Sequence, residues 1–301
     1  LSTLKSNEML QGEYGRSALK LGLKYQHQLG VNPFKFGFIG STDSHTSLAT
    51  GDDNNFYGKA SNSEPSAERA AHPFVSSELG TILGWETVAS GYAAVWAESN
   101  TREDIFDAMM RKETYATTGP RITLRFFGGW DFSEADLDEN CVQHGYDKGV
   151  PMGGDLTNSS GGAPSFLLHA IMDPEGGSLD RMQVVKGWLN ADGSLAEKVY
   201  DVAWSGDRKV DENGKVPSVG NTVNLDDATW SNDIGDEEFK MVWSDPDFDA
   251  TQEAFYYVRV IEIPTPRWTL YDKIRYGAEL TDVIPLTSQQ RAYSSPIWYT
   301  P

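Results

Sequence analysis

Phe34-Lys-Phe-Gly-Phe-Ile-Gly-Ser-Thr-Asp-Ser-His-Thr46 joins a strand-like half to a polar half. In the first half, aromatic residues alternate with Lys35 and Gly37, the period-two pattern of a strand with one apolar face. The pattern predicts a strand over Phe34–Ile39. The preceding segment, Leu10–Leu29, carries apolar residues at helical spacing, which predicts a helix. Together the two segments indicate one helix–strand unit of an α/β domain.

The polar half contains Asp43 and His45, which are two residues apart. In an extended segment such residues point to the same side, so a carboxylate and an imidazole would converge past the predicted strand. Sites in α/β folds are built at such strand ends, and these two groups are good ligands for zinc, manganese or iron. The motif alone is more typical of a polar turn whose side chains satisfy backbone groups. The motif alone leaves both interpretations open.

Composition limits the classes of partner. The chain has 301 residues and a net charge of −19, which repels nucleic acid and anionic lipid. No apolar run approaches the length of a membrane span. The single Cys141 excludes an intrachain disulfide, the usual sequence evidence for a periplasmic or secreted location, which we nevertheless favour over the cytoplasm. We therefore expect neither a nucleic-acid partner nor a membrane span.

The chain after the polar half divides into a loop and a second strand–helix unit. Residues 46–80 are poor in apolar side chains, which is typical of a functional loop or lid, and Asp52–Asn55 is predicted to lie in solvent. Gly91–Ala97 predicts a short buried strand. A helix with Asn100 as its N-cap is expected to run to about residue 112, with Thr114–Pro120 as a turn. The apolar residues predicted to be buried by this helix are Ile105, Phe106 and Met109.

Helical periodicity disappears after Arg121. Strand-like runs then follow one another, and Asp192-Gly193 between two of them is a strong hairpin signal. These runs are Ile122–Phe127, Phe166–Ile171, Met182–Leu189, Lys198–Trp204, Phe239–Trp243 and Ala254–Ile263. Many short strands with regular turn signals predict a β-sandwich. The sequence thus predicts an α+β, multidomain protein, with an α/β part over residues 1–121 and an antiparallel β-sandwich over 122–301.

Four blocks of the sequence resemble the DUF3604 family. They are residues 30–46, Arg111-Lys-Glu-Thr-Tyr-Ala-Thr-Thr-Gly-Pro-Arg-Ile122, Gly149-Val-Pro-Met-Gly-Gly-Asp155 and Ser294-Ser-Pro-Ile-Trp-Tyr-Thr-Pro301. The resemblance covers essentially the whole chain. It implies a part similar to the PHP (polymerase and histidinol phosphatase) metallohydrolases, which is a distorted (β/α) barrel with two or three divalent metal ions such as zinc, manganese or iron.

The last ligand motif of PHP proteins is Gly-Ser-Asp-x-His or a close variant. It matches Gly40, Ser41, Asp43 and His45 here, with Thr42 as an extra residue. The resemblance therefore implies Asp43 and His45 as metal ligands. The His-x-His motif that begins the PHP pattern is missing from this sequence. The resemblance accordingly implies the C-terminal portion of a longer protein, with a partial barrel that an N-terminal segment or a second chain completes.

The functional expectation is a metal-dependent hydrolase of the PHP type, acting on a small-molecule phosphate or sulfate ester. Bound metals would lower the pKa of a bridging water and polarise the ester. Two ligands alone would bind metal weakly, so we do not expect catalysis from this chain by itself. Arg121 is expected to bind the anionic ester group bidentately, and a surface ion pair is its alternative role.

A second functional class stays open beside the hydrolase. The β-sandwich would be a non-catalytic carbohydrate- or protein-binding module attached to a degenerate barrel, with exposed Trp and Tyr side chains as platforms. Other classes lack support, because the sequence has no phosphate loop, dinucleotide-binding turn or serine nucleophile elbow. The residues that would carry out the catalytic step are not identified by the sequence.

Overall fold

The computed structural model describes residues 6–10, 12–48, 50–88, 91–157 and 162–301. Within these ranges the helices are α1 (Asn7–Leu10), α2 (Gly15–Leu29), α3 (Arg102–Met110), α4 (Cys141–Lys148) and α5 (Trp268–Tyr276). The strands are β1 (Pro73–Ser77), β2 (Gly80–Leu83), β3 (Tyr92–Val95), β4 (Thr114–Thr117), β5 (Thr123–Gly129), β6 (Gly149–Pro151), β7 (Asp155–Thr157), β8 (Ser165–Ile171), β9 (Leu179–Leu189), β10 (Leu195–Trp204), β11 (Glu238–Ser244), β12 (Ala254–Pro266), β13 (Thr287–Ser294) and β14 (Ile297–Thr300).

Antiparallel pairing dominates the sheets. An eight-stranded sheet has the order β10-β9-β12-β13-β4-β3, with β14 beside β12 and β7 pairing in parallel with β14. A four-stranded sheet has the order β11-β8-β5-β6, and β1 and β2 form a separate hairpin. The large sheet takes strands from both sides of residue 121, since β4 pairs with β13. The described residues form an α+β fold in which no barrel closes.

The two large sheets pack face to face around an aromatic and aliphatic core. Phe166 of β8 lies 5.4 Å from Phe126 of β5 and 4.6 Å from Tyr256 of β12, measured between ring centroids. Leu168 and Val184 are fully buried in the same cluster. Each such side chain stabilises the fold by roughly 1.5–3 kcal/mol. The helices of the described ranges include none long and apolar enough to cross a membrane.

The strand predictions for the second part of the chain are confirmed. The six predicted runs correspond to β5, β8, β9, β10, β11 and β12. Asp192-Gly193 lies in the hairpin loop between β9 and β10, where Gly193 has a φ of +80° that favours glycine. The sequence interpretation missed β13, because Thr287–Ser294 is largely polar and presents no apolar alternation.

The strand predicted over Phe34–Ile39 is wrong. These residues join no sheet, and the backbone NH of Phe38 instead donates to Ser295 Oγ at 2.8 Å. The aromatic alternation serves side-chain packing, since Phe38 lies 5.6 Å from the ring of Tyr257. Alternation reports one apolar face and does not by itself provide a pairing strand. The α/β unit expected here is therefore a helix followed by an unpaired segment.

Helix α2 confirms the predicted helix, although it begins at Gly15 rather than at Leu10. Its buried residues Leu19 and Leu23 pack in one cluster with Val185 of β9 and Phe255 of β12. The apolar stripe of this helix is thus covered by the eight-stranded sheet. This helix therefore has no exposed apolar stripe that would by itself require further polypeptide to cover it.

The predicted details of α3 are partly wrong. Thr101 is the N-cap, because its Oγ1 accepts from the NH of Asp104, one position after the predicted Asn100. Phe106 and Met109 are exposed rather than buried, and Ala108 is the buried residue of this helix. The predicted helix forms, but apolar residues at helical spacing do not guarantee that another element packs over them. The turn predicted over residues 114–120 is likewise wrong for its first part, which forms β4.

The irregular segment after the polar half is anchored by buried charges. Arg69 is buried and forms a two-pronged ion pair with Asp272 of α5, one contact of which, from Nη2 to Oδ1, spans 2.8 Å. Asp53 accepts from the NH of Trp268 at the start of α5 and from Gln290 of β13. The prediction that residues 52–55 lie in solvent is therefore wrong for Asp53.

Asp245 connects the two sheets through buried hydrogen bonds. It follows β11 directly, and its Oδ2 lies 2.6 Å from Lys186 Nζ of β9 and 2.7 Å from the hydroxyl of Tyr256 of β12. The carboxylate and the ammonium are almost completely buried. Removing one partner of such a pair leaves the other charge buried and unpaired.

We predict that Asp245→Asn lowers the free energy of unfolding by about 3–5 kcal/mol, because Lys186 loses its counter-charge. Urea denaturation of the two proteins measures this loss. The control is Lys198→Gln, which breaks a half-exposed ion pair with Asp247 and should cost less than about 1 kcal/mol. Equal losses in the two variants would contradict the role assigned to Asp245.

Candidate functional site

Asp43 occupies an unusual backbone conformation. Its φ of +51° lies in the left-handed region, which Asp tolerates better than most residues. The side chain is mostly exposed, and its Oδ2 lies 3.4 Å from Nζ of the buried Lys59. Lys59 also donates to the carbonyl of Thr42 at 2.9 Å and accepts from the NH of His45 at 2.7 Å. Lys59 therefore holds this segment on both sides of Asp43.

Hydroxyl groups satisfy the backbone of the turn that contains Asp43. The NH of Ser44 donates to Thr42 Oγ1, and the NH of Thr46 donates to Ser44 Oγ. In the described ranges, the carboxylate of Asp43 and the imidazole of His45 accept no such bond. The polar-turn interpretation therefore applies to the neighbouring Ser and Thr residues, whereas the fold leaves Asp43 and His45 unused as caps.

Asp43 and His45 are suitable residue types for binding a metal ion, but two ligands are too few for a metal site. A carboxylate and an imidazole are zinc ligands, yet protein zinc sites use three or four protein ligands. Across the described residues, no group of three or more His, Cys, Asp or Glu side chains is arranged to hold a metal ion. The Lys59 ammonium also offers Asp43 a competing positive charge. Metal binding at Asp43 and His45 stays a prediction, and the two residues do not complete a site alone.

Arg121 makes no direct polar contact with Asp43 or His45 among the described residues. Its side chain is exposed, with the guanidinium carbon 5.9 Å from the ring centre of Tyr92, and its backbone NH donates to Asp173 Oδ2 at 2.6 Å. No hydrogen bond or ion pair joins it to Asp43 or His45 in the part of the chain that the structure describes. Arg121 instead stands at the edge of a separate concave site.

We call this second site the acidic cleft. Its cavity measures about 80 Å³ and is bordered by the aromatic side chains of Trp230 and Tyr271. The carboxylates that line it are Asp52, Asp53, Asp173, Glu175 and Glu262. In the described ranges, none of the five forms a salt bridge. A concentration of negative charge without paired cations therefore surrounds this small cavity.

Glu262 is the most unusual member of the acidic cleft. Its side chain is fully buried on β12, and neither carboxylate oxygen has a hydrogen-bond partner of regular geometry among the described residues. Burial raises its pKa well above the ordinary value, and the nearby charges of Asp173 and Asp52 add to this, while the NH of Gly177 opposes it. Burial and the charge of Asp173 also raise the pKa of Asp52. These carboxyl groups thus share one electrostatic environment.

The sequence contained a signal for Glu262 that the strand prediction did not use. Val258, Val260 and Glu262 occupy alternate positions of β12, so their side chains point to the same face of the sheet. All three are buried. A Glu on the buried positions of a core strand is rare unless it is paired. Asp52 and Asp173 had no comparable signal, because they lie in irregular segments whose positions only the fold determines.

A family model described as "Protein of unknown function (DUF3604)" matches residues 1–301. The chain belongs to the DUF3604 family. This confirms the family resemblance given by the four sequence blocks, whereas the likeness to PHP proteins is not part of that finding. No curated protein and no solved structure matches the DUF3604 chain.

We predict a pH-dependent stabilisation in Glu262→Gln. Because the folded pKa is raised, the native Glu262 keeps its proton above the ordinary value of 4.5, and its presence lowers stability as the pH rises from there towards the raised pKa. Gln carries no titrating proton. The free energy of unfolding of the variant minus that of the wild type should therefore be larger at about pH 8 than at about pH 5.

Urea denaturation at the two pH values measures this difference. The matched control is Glu175→Gln, since Glu175 lies at the same cleft but is exposed. The difference in the free energy of unfolding between Glu175→Gln and the wild type should change little between the two pH values. A difference for Glu262→Gln that is the same at both would show that the buried carboxyl titrates like an exposed one.

Proposed function

We propose that this DUF3604 protein is a metal-dependent hydrolase of the PHP type that acts on phosphate or sulfate esters. In this proposal, Asp43 contributes an anionic oxygen and His45 a neutral nitrogen to the metal centre, which would contain two or three divalent ions. The remaining ligands, and the completion of a PHP-like barrel, come from polypeptide outside the described residues.

One observation carries the proposal. Thr42, Ser44 and Thr46 provide the side-chain contacts that the turn needs, so Asp43 and His45 remain exposed without a capping role. A turn that needed only a positive φ would accept Gly or Asn at lower cost than Asp. Unusual backbone conformations of non-glycine residues concentrate at functional sites. An exposed Asp and His pair that caps no backbone group, with only Lys59 beside the Asp, is consistent with a partly assembled ligand set.

The other functional residue and the rival function have less support. Arg121 remains the candidate for binding the anionic ester, because its exposed guanidinium has no ion-pair partner among the described residues, although Asp52 lies near it. The carbohydrate-binding alternative relied on exposed aromatic platforms. All nine Trp residues are buried or half-buried, so none of them is an exposed platform, although Tyr14, Tyr146 and Tyr276 are exposed.

We predict that Asp43→Asn lowers metal binding by the full-length protein. The substitution keeps the side-chain size and removes the charge that would hold the metal. Loss of a direct ligand should weaken metal affinity by more than the roughly 10–100-fold that follows loss of an outer-shell partner. Metal content per protein, measured by mass spectrometry, and ester hydrolysis should fall together. His45→Ala should act in the same way.

Matched exposed residues provide the controls. Asp207→Asn and His27→Ala change the same residue types at exposed positions, and we expect both to retain metal and activity. The melting temperature in excess chelator should hardly differ among the four variants, because none of these side chains caps the backbone in the described ranges. Unchanged metal content in Asp43→Asn would end the assignment of this site.

A further inference from the structure

The acidic cleft presents a buried carboxylate that the fold itself leaves unsatisfied. Glu262 has no exposed surface, yet it lines the cavity, and both its oxygens lack a regular hydrogen-bond partner in the described ranges. Burying a carboxyl group without partners is costly. If this position only packed the core, an apolar residue such as the Val at positions 258 and 260 of the same strand would be more stable there.

Two glycines that line the cavity, rather than larger side chains, lie against the buried carboxylate of Glu262. Gly176 and Gly177 lie directly beside the carboxylate, and a Cβ at Gly176 would approach Oε1 to 3.1 Å. Asp52 faces the same cavity, is only half-buried, and has no hydrogen-bond partner for its carboxylate among the described residues. Two carboxylates with free acceptor positions therefore border one small space.

Two other acidic side chains of the cleft, those of Asp173 and Asp53, are already engaged by the protein. Asp173 accepts from the backbone NH groups of Arg121 and Glu175. Asp53 accepts from Trp268 and Gln290. These bonds hold Asp53 and Asp173 in place. With Glu175 exposed at the rim, Glu262 and Asp52 are the more buried carboxyl groups with free acceptor positions for a ligand.

The arrangement suits an organic cation better than a metal ion. Metal chelation draws several ligands to within about 2.0–2.6 Å of one point, and no group of three such side chains is so arranged in the described residues. A guanidinium or primary ammonium group has N–H donors that point in different directions and can reach separate carboxylates. Trp230 and Tyr271 also line the cavity, and aromatic rings attract organic cations, as Arg275 over the ring of Tyr271 already shows.

The size of the cavity is consistent with such a head group. About 80 Å³ corresponds to roughly two to three water molecules at about 30 Å³ each. That space accommodates a guanidinium or methylammonium group. The rest of a bound molecule would extend outward past the exposed Glu175.

We propose that the acidic cleft binds the N–H-bearing cationic head group, guanidinium or primary ammonium, of a small molecule, with Glu262 as its main counter-charge and Asp52 as its second acceptor. This site is independent of the metal centre proposed at Asp43 and His45. It requires only that the described residues fold as they do here.

Isothermal titration calorimetry of the wild-type protein with methylguanidinium chloride and with methylammonium chloride tests the proposal. At least one probe should bind saturably at one site per chain. Tetramethylammonium carries the same charge without N–H donors and should bind at least about tenfold more weakly. Calcium chloride should give no saturable binding that depends on Glu262.

Glu262→Gln should weaken binding of the better probe by about tenfold or more, since it removes the carboxyl group that would ionise when the cation binds, while keeping the shape. Asp52→Asn should weaken it to a smaller extent. The matched control Glu175→Gln, at the exposed rim, should change the affinity by less than about threefold. Circular dichroism of each variant verifies that it is folded.

Three outcomes would overturn the proposal. The first is the absence of saturable binding of either probe to the folded wild type. The second is equal affinity in Glu262→Gln and the wild type, which would place any binding on the generally acidic surface. The third is tighter, Glu262-dependent binding of calcium, which would make the acidic cleft a metal site.

Discussion

The fold depends on a charge pair buried between its two sheets. Asp245 accepts from Lys186 and from Tyr256, so the end of the small sheet is fixed against the two central strands of the large one. Hydrophobic packing brings the sheets together without specifying one alignment, because apolar contacts have no direction. A buried ion pair whose hydrogen bonds are all made does specify the alignment, because any shift of one sheet against the other would leave a buried charge without its partner. The position of β12 relative to the small sheet follows from this contact.

Sequence patterns predicted the strands of the second half well and the first half less well. The runs of β8, β9 and β12 are largely apolar because these strands are buried, and such runs are recognisable without knowing their partners. The pattern of Phe34–Ile39 arose in the same way, but its aromatic residues pack on α2 and Tyr257 without a strand beside them. Local pattern reports which side of a segment is apolar. Pairing is a property of distant residues and was not readable from that segment.

The candidate sites show the same limit. Asp43 and His45 stood out because they are close in sequence, and the structure adds that neighbouring hydroxyl groups relieve them of capping. The acidic cleft brings together Asp52, Asp173 and Glu262 from three distant parts of the chain. The buried alternation of β12 could have identified Glu262. Its proximity to Asp52 follows only from the way in which Asp53 is tied to α5 and β13.

The Arg69–Asp272 pair has a consequence for the biosynthesis of the chain. Arg69 lies 4.5 Å from the ring centre of Trp268, and its ion-pair partner is 203 residues away in sequence. At roughly 5–20 residues per second, translation needs about 10–40 s to cover that interval. During this time the segment around Arg69 has left the ribosome without its partner helix, and β4 likewise waits for β13. The early part of the nascent chain therefore leaves Arg69 and the edge of β4 without their partners until the last strands emerge.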